Sequence, residues 1–198
     1  MKTAIINYNA GNVQSVLYAL ERLGVQGHLT NDIEEIQKAD KVIFPGVGEA
    51  STAMKYLKQY QLEKVLPNLK QPFLGICLGM QLMCKHSEEN DTDCLGIFDL
   101  NVVRFQNEQN GQRFKVPQIG WNQLESVKSP LFKNVNEGDY TYFVHSYYVP
   151  KNEFSIANTT YVTEYCAALN KDNFYATQFH PEKSAKVGEQ IIQNFLEL

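Results

Sequence analysis

The chain has 198 residues, of which 43% are hydrophobic and 20% charged, a balance that supports one well-buried core and excludes wholesale disorder. Eighteen lysines and arginines against 22 aspartates and glutamates give a net charge of −4 with no dense basic run, which excludes a broad nucleic-acid footprint but not a small anionic ligand. No apolar run approaches the roughly eighteen residues of a membrane span, and Asn7 interrupts the apolar start too early for a secretory leader, so the chain reads as cytoplasmic.

Residues 3–7 read as a first strand, 7–12 as a turn, and Val13, Val16, Leu17 and Leu20 as the apolar stripe of a helix ending near Gly24. A second strand is expected over residues 25–29, a short helix capped by Asn31 or Asp32, and a third strand over Lys41–Phe44. This alternation is the opening of an α/β sheet. Pro45-Gly46-Val47-Gly48 follows the third strand, and such a loop can turn backbone N–H groups toward the carboxyl end of the sheet, where open α/β folds bind ligands. Turn chemistry alone would also account for it. Helical composition follows over residues 50–60, and residues 62–69 close a crossover.

The next stretch, Pro72-Phe73-Leu74-Gly75-Ile76-Cys77-Leu78-Gly79-Met80-Gln81-Leu82-Met83-Cys84, organises the rest. A short apolar run gives way to helical spacing through Leu78 and Leu82, extending toward Lys85 and His86, so Cys77 falls at a strand-to-helix junction. Gly75 and Gly79 flank it at two residues on either side, as a sharp nucleophile elbow requires. A thiol there meets the free N–H groups of a helix start, which favour the thiolate. A small buried cysteine at a strand end is the plainer reading of Cys77 taken alone.

Beyond residue 90, β-branched and aromatic runs over residues 97–105, 114–124, 140–149, 154–160 and 161–169 predict antiparallel strands, with a brief helix after Pro130. Trp121 suits either a core or an interface anchor, and Pro117 and Gly120 argue against a central strand around it. Residues 174–179 form a strand that delivers His180-Pro181-Glu182, and a final helix begins near Ser184. The fold class is therefore α/β: an open, mostly parallel sheet with helices on both faces, a nucleophile elbow and a strand-rich antiparallel extension in the second half. Residues 1–198 read as a single domain.

Pro181 favours an extended path in which the side chains of His180 and Glu182 share a side, letting Glu182 orient an imidazole that serves Cys77. His180 would take the thiol proton and later protonate a departing amine. Leu78 N–H and a backbone N–H within residues 46–48 are candidate oxyanion donors. His145, in Tyr142-Phe143-Val144-His145-Ser146-Tyr147-Tyr148, is a competing base or a structural or substrate-side residue, with a bend expected after it. His28 and His86 read as surface residues, and Cys84 as core. Neither phosphate-binding glycine patterns nor zinc-ligand spacings occur, so no cofactor and no metal are expected.

Gly75-Ile76-Cys77-Leu78-Gly79-Met80-Gln81 and His180-Pro181-Glu182, in this order, resemble the class I glutamine amidotransferases over almost the whole chain. Residues 8–16, Pro45-Gly46-Val47-Gly48, Gly120-Trp121-Asn122, residues 142–147 and Lys183-Ser184 are most similar to the branch of that family serving imidazole glycerol phosphate synthase. The resemblance implies Cys77 as nucleophile, His180 as base and acid, Glu182 as its orienter, and Val47 and Leu78 as oxyanion donors. It implies Gly48, Gln81, His145, Ser146 and Tyr147 around glutamine, and Asn12, Trp121, Tyr142 and Lys183 facing a cyclase partner, a (β/α)8 barrel that receives the ammonia in a heterodimer. The chain departs from the family pattern at Asn7, Asn9 and Gln118, where aspartate, glycine and histidine are familiar. The glutaminase of another synthase, for anthranilate or pyridoxal phosphate, and a catalytically silent relative are the alternatives.

Overall fold

A computed structural model describes residues 1–8, 13–109 and 111–198. The first half alternates strand and helix as β1 (Thr3–Ile6), α1 (Val13–Arg22), β2 (Gly27–Thr30), α2 (Ile33–Gln37), β3 (Lys41–Phe44), α3 (Ala50–Gln59), α4 (Leu62–Val65), β4 (Phe73–Ile76) and α5 (Leu78–Met83). The second half brings the short strands β5 (His86–Ser87), β6 (Thr92–Asp93), β7 (Asn101–Arg104), β8 (Glu108–Gln109) and β9 (Gln112–Arg113). Then come β10 (Gln118–Gln123), β11 (Tyr140–His145), β12 (Tyr147–Tyr148), β13 (Ser155–Thr160), β14 (Glu164–Lys171), β15 (Phe174–Thr177) and the closing helix α6 (Ala185–Glu197).

Seven strands form the main sheet in the order β13-β14-β15-β4-β3-β1-β2, with β15, β4, β3, β1 and β2 parallel and β14 and β13 added antiparallel at one edge. Side chains of the central strands are buried on both faces, which is why these strands are continuously apolar rather than alternating. Ala4, Ile6, Val42, Phe44 and Phe73 pack with α2 to α5 on one face, whereas Ile5, Ile43, Leu74 and Ile76 meet α1 and α6 on the other. The expected antiparallel extension divides: β13 and β14 prolong the sheet, β10 and β11 form a separate ribbon, and β12, β7, β5 and β6 form a small mixed sheet.

Asp32 caps α2 by accepting from Glu35 N–H at 2.9 Å, and residues Pro130–Phe132 form the expected short turn of helix. The second strand starts later than the spacing predicts, because Val25 N–H is held at 2.9 Å by the Leu20 carbonyl as the chain leaves α1. Likewise α5 stops at Met83 and does not reach Lys85 or His86. The carbonyls of Leu82, Met83 and Cys84 are taken by the N–H groups of Leu95, Phe98 and Gly96, at 2.9, 3.0 and 2.8 Å, so a returning loop replaces the next helical turn. Ile97 and Phe98 are spent on that loop, which shortens the strand expected from residue 97.

Helix α5 crosses β3 at contact distance. A methyl group on Gly79 would lie 2.0 Å from the Phe44 carbonyl oxygen, and one on Gly75 would lie 2.4 Å from the Met83 sulfur. No helix among the described residues is long and apolar enough to cross a membrane. Gly79→Ala forces strand and helix apart and should lower the urea midpoint with unchanged m, a loss of about 2 kcal/mol; a wild-type midpoint would refute the close packing.

Candidate active site

The sharp turn expected between β4 and α5 is present as a backbone of φ +53° and ψ −108° at Cys77, a conformation that L residues rarely adopt. Two things hold it. The Gly79–Phe44 contact fixes where the helix begins, and Cys77 N–H donates to the Thr177 carbonyl at 2.7 Å, tying the elbow to the end of β15. Leu78 opens α5, so its N–H belongs to the first turn and has no acceptor within the helix.

Three residues beyond Thr177, His180 Nδ1 lies 2.7 Å from Glu182 Oε1, both side chains almost wholly buried. The pairing was expected from an extended alternation, but Pro181–Lys183 instead form a single 3-10 turn that brings the carboxylate back under the ring. His180 Nε2 makes no hydrogen bond within ordinary limits, yet the Cys77 sulfur is its dominant partner. Burial works against the imidazolium, and attraction to the Cys77 sulfur, followed by Glu182, overcomes it and pushes His180 up to about 10. That balance favours the charged imidazolium.

The turn is anchored from outside. Ser184 Oγ donates to the His180 carbonyl at 2.7 Å and accepts from Tyr142 N–H at 2.9 Å, while His180 N–H donates to the Tyr142 carbonyl at 2.9 Å. Helix α6 closes on the same turn through Gly188, where a methyl would meet the Pro181 carbonyl oxygen at 1.9 Å.

Beside Cys77 lies a cavity of about 270 Å³ lined by Val47, Gly48, Leu78, Gln81, His145, Ser146 and Tyr147, together with Glu89, Pro117 and Val144. The last three were not anticipated from sequence. Glu89 sits after α5 in a polar stretch with no motif; its Oε2 accepts from Ala50 N–H at 2.8 Å, and burial raises its pKa. A larger groove by Leu17, Glu21 and residues 24–27 lies apart from these groups.

His145 lines the cavity without offering it a free nitrogen. Its Nδ1 donates to the Tyr147 carbonyl at 2.8 Å, possible because the chain bends at Ser146, and its Nε2 lies 3.1 Å from the Tyr165 hydroxyl, which also contacts Gln118 Oε1 at 2.8 Å. Burial pushes the imidazole down to about 4, which leaves it neutral and structural, not a competing base. His28 pairs with Glu35, and His86 with Asp91 and Asp93, at the surface. Cys84 is buried, as expected of core. Among the described residues no group of three His, Cys, Asp or Glu side chains could hold a metal ion.

Trp121 is half exposed and meets Tyr142 edge-on across the β10–β11 ribbon, so it is not core. Tyr142 and Lys183 are partly buried beside the His180 turn. Asn9 and Asn12 lie outside the described residues.

The structure thus joins an α/β sheet, a strained cysteine elbow with a cavity beside it, and a buried His–Glu pair that follows the neighbouring strand. The family model for class I glutamine amidotransferases matches residues 4–198, and the chain belongs to that family. It is 58% identical over 198 residues to imidazole glycerol phosphate synthase subunit HisH of Bacteroides fragilis strain YCH46, and 56% identical to that of Bacteroides thetaiotaomicron, covering 100% of both chains in each case. In fold it is similar to a crystal structure of a glutamine amidotransferase, with a TM-score of 0.72 at 19% identity over 98% of this chain and 97% of that one. It is equally similar to PurLQS from Thermotoga maritima, with a TM-score of 0.72 at 16% identity over 99% and 97%.

A histidine kept neutral by burial takes up a proton on unfolding. Below an unfolded pKa near 6.5 the unfolded chain binds more protons than the folded one, so the His145 contribution is full above that value and is lost as pH falls toward about 4. Unfolding free energy should drop by about 3 kcal/mol across this window in wild type beyond the drop in His145→Gln, as read by urea titration at each pH. Parallel pH curves for the two proteins would refute the assignment.

Proposed function

We propose that the chain is the glutaminase subunit of an imidazole glycerol phosphate synthase in histidine biosynthesis, with residues 1–198 acting as one domain that hydrolyses free L-glutamine to glutamate and ammonia. The observation that carries this reading is the Cys77, His180 and Glu182 arrangement beside the Gln81 cavity, in a chain 58% identical to a HisH subunit.

The Cys77 thiolate attacks the side-chain amide carbon, a C–S bond forms, and the carbonyl electron pair moves onto oxygen. Val47 and Leu78 N–H groups receive that oxyanion, each contributing roughly 3 kcal/mol in comparable sites. His180 Nε2 gives its proton to the amide nitrogen, the C–N bond breaks, and ammonia leaves a thioester. Water then attacks, surrendering a proton to His180, and the C–S bond breaks to release glutamate. Glu182 keeps the ring in place and favours its charged form throughout. Gly48, Gln81, Ser146 and Tyr147 face the substrate's polar groups, with His145 as wall. Glu89 is the one carboxylate on the cavity wall and suits the α-ammonium of glutamine.

The HisH relatives are named as subunits, which supports a partner. The reading assigns a cyclase with a (β/α)8 barrel, joined in a heterodimer, that consumes the ammonia in lyase chemistry. Asn12, Trp121, Tyr142 and Lys183 would face it. Support comes from the exposed Ile119 and Trp121 on a ribbon hydrogen-bonded to the His180 turn, since partner contact there bears on the catalytic imidazole.

Ammonia release from glutamine should rise when the cyclase subunit and its acceptor ligand are added, and Cys77→Ala should abolish it. Turnover that survives Cys77→Ala, or stimulation only by a different synthase, would overturn the mechanism or the pathway respectively. Glu89→Gln should raise KM for glutamine about tenfold with a smaller change in kcat, the loss of one charged contact. An unchanged KM would remove Glu89 from the substrate site.

A further inference from the structure

Gln178 is wholly buried between the strand that delivers His180 and the elbow helix, and its side chain bonds to both Gln81 and the nucleophile. Gln81 Nε2 donates to the Tyr147 main-chain carbonyl at 2.8 Å and to Gln178 Oε1 at 3.0 Å. A main-chain carbonyl only accepts, so the nitrogen side of the Gln81 amide is fixed by chemistry. Both of its N–H bonds are then used, and its oxygen is the one atom left for the cavity. The same logic passes along the chain: Gln178 presents its oxygen to Gln81, so its nitrogen faces Cys77, 3.7 Å from the sulfur.

We infer that Gln178 is a positioning residue with two tasks: it turns the Gln81 carbonyl oxygen toward the substrate, and it aims an amide N–H at the Cys77 sulfur. The first task rests on the glutaminase reading; the second does not. An oxygen acceptor at Gln81 suits an N–H donor of the substrate, either the amide to be cleaved or the ammonium. The N–H at sulfur favours a thiolate over a thiol, because only the anion is a strong acceptor. Tyr147 O also accepts from His145 Nδ1, so the wall of the cavity and the nucleophile belong to one run of hydrogen bonds.

Two variants separate the tasks. Gln178→Glu keeps an acceptor for Gln81 but replaces the N–H at sulfur with an acidic oxygen; Gln178→Met removes both. Iodoacetamide alkylation of Cys77 as a function of pH reads the second task, and glutamine KM in the presence of the partner subunit reads the first. Both variants should move the alkylation midpoint up by about one pH unit. Gln178→Glu should lower kcat with KM within about twofold, whereas Gln178→Met should also raise KM about tenfold. Wild-type midpoints in both variants would overturn the sulfur contact, and an unchanged KM in Gln178→Met would overturn the hold on Gln81. Should wild type fail to hydrolyse glutamine, the glutaminase reading falls while the alkylation midpoints still decide the sulfur contact. Should the variants not fold, the side-chain amide resonance of Gln178 in the wild-type chain decides it. The resonance should titrate with the Cys77 alkylation midpoint, and a resonance that ignores pH across that range would refute the contact.

Discussion

The approach of Gly79 to the Phe44 carbonyl is the constraint on which the site depends. Without a side chain at that position, α5 packs directly on β3, and the one residue between β4 and α5 must absorb the whole change of direction. Cys77 does so at positive φ, which costs of order 1 kcal/mol or more and persists only because the surroundings over-determine it. The consequence is geometric. Cys77 and Leu78 face one cavity, and the Cys77 N–H reaches the end of β15. Cys77 and His180 thus follow the ends of adjacent parallel strands, β4 and β15, whose register is set by the sheet.

Two buried histidines, His145 on the cavity wall and His180 opposite the Cys77 sulfur, are shifted in opposite directions, and the reason is what faces them. His180 meets a sulfur and a carboxylate that reward positive charge, so its burial is overcome. His145 meets a carbonyl and a phenol, neither of which offsets the loss of water, so burial wins. One imidazole is thereby held charged and the other neutral in the cavity wall. Both are buried histidines, and neither role could be assigned from the residue type.

Ser184 joins the His180–Glu182 turn to the ribbon whose outer face carries Trp121. A rearrangement of β11 would reach His180 through its main-chain bond to Tyr142 and through the buried Ser184 hydroxyl. The site is therefore mechanically continuous with the surface assigned to the partner.

By itself the sequence determined the α/β alternation, because strands buried on both faces must be continuously apolar and helices must carry an apolar stripe, and these periods are local properties of residues 1–84. It also determined the elbow, since paired glycines around a cysteine at a strand-to-helix change leave few other conformations, and it placed His180 and Glu182 beside each other in the chain. Tertiary structure decided the rest. The end of α5 depended on loop N–H groups from residues 95–98 that capture its carbonyls. The His180–Glu182 contact came from a 3-10 turn braced by α6, not from strand alternation. Glu89, Ser184 and Gln178 joined the site through partners 39, 42 and 101 residues away in the chain, contacts that leave no periodic trace. Periodicity records which face of an element is buried, whereas the aim of a polar side chain is set by whichever distant donor or acceptor the fold brings to it.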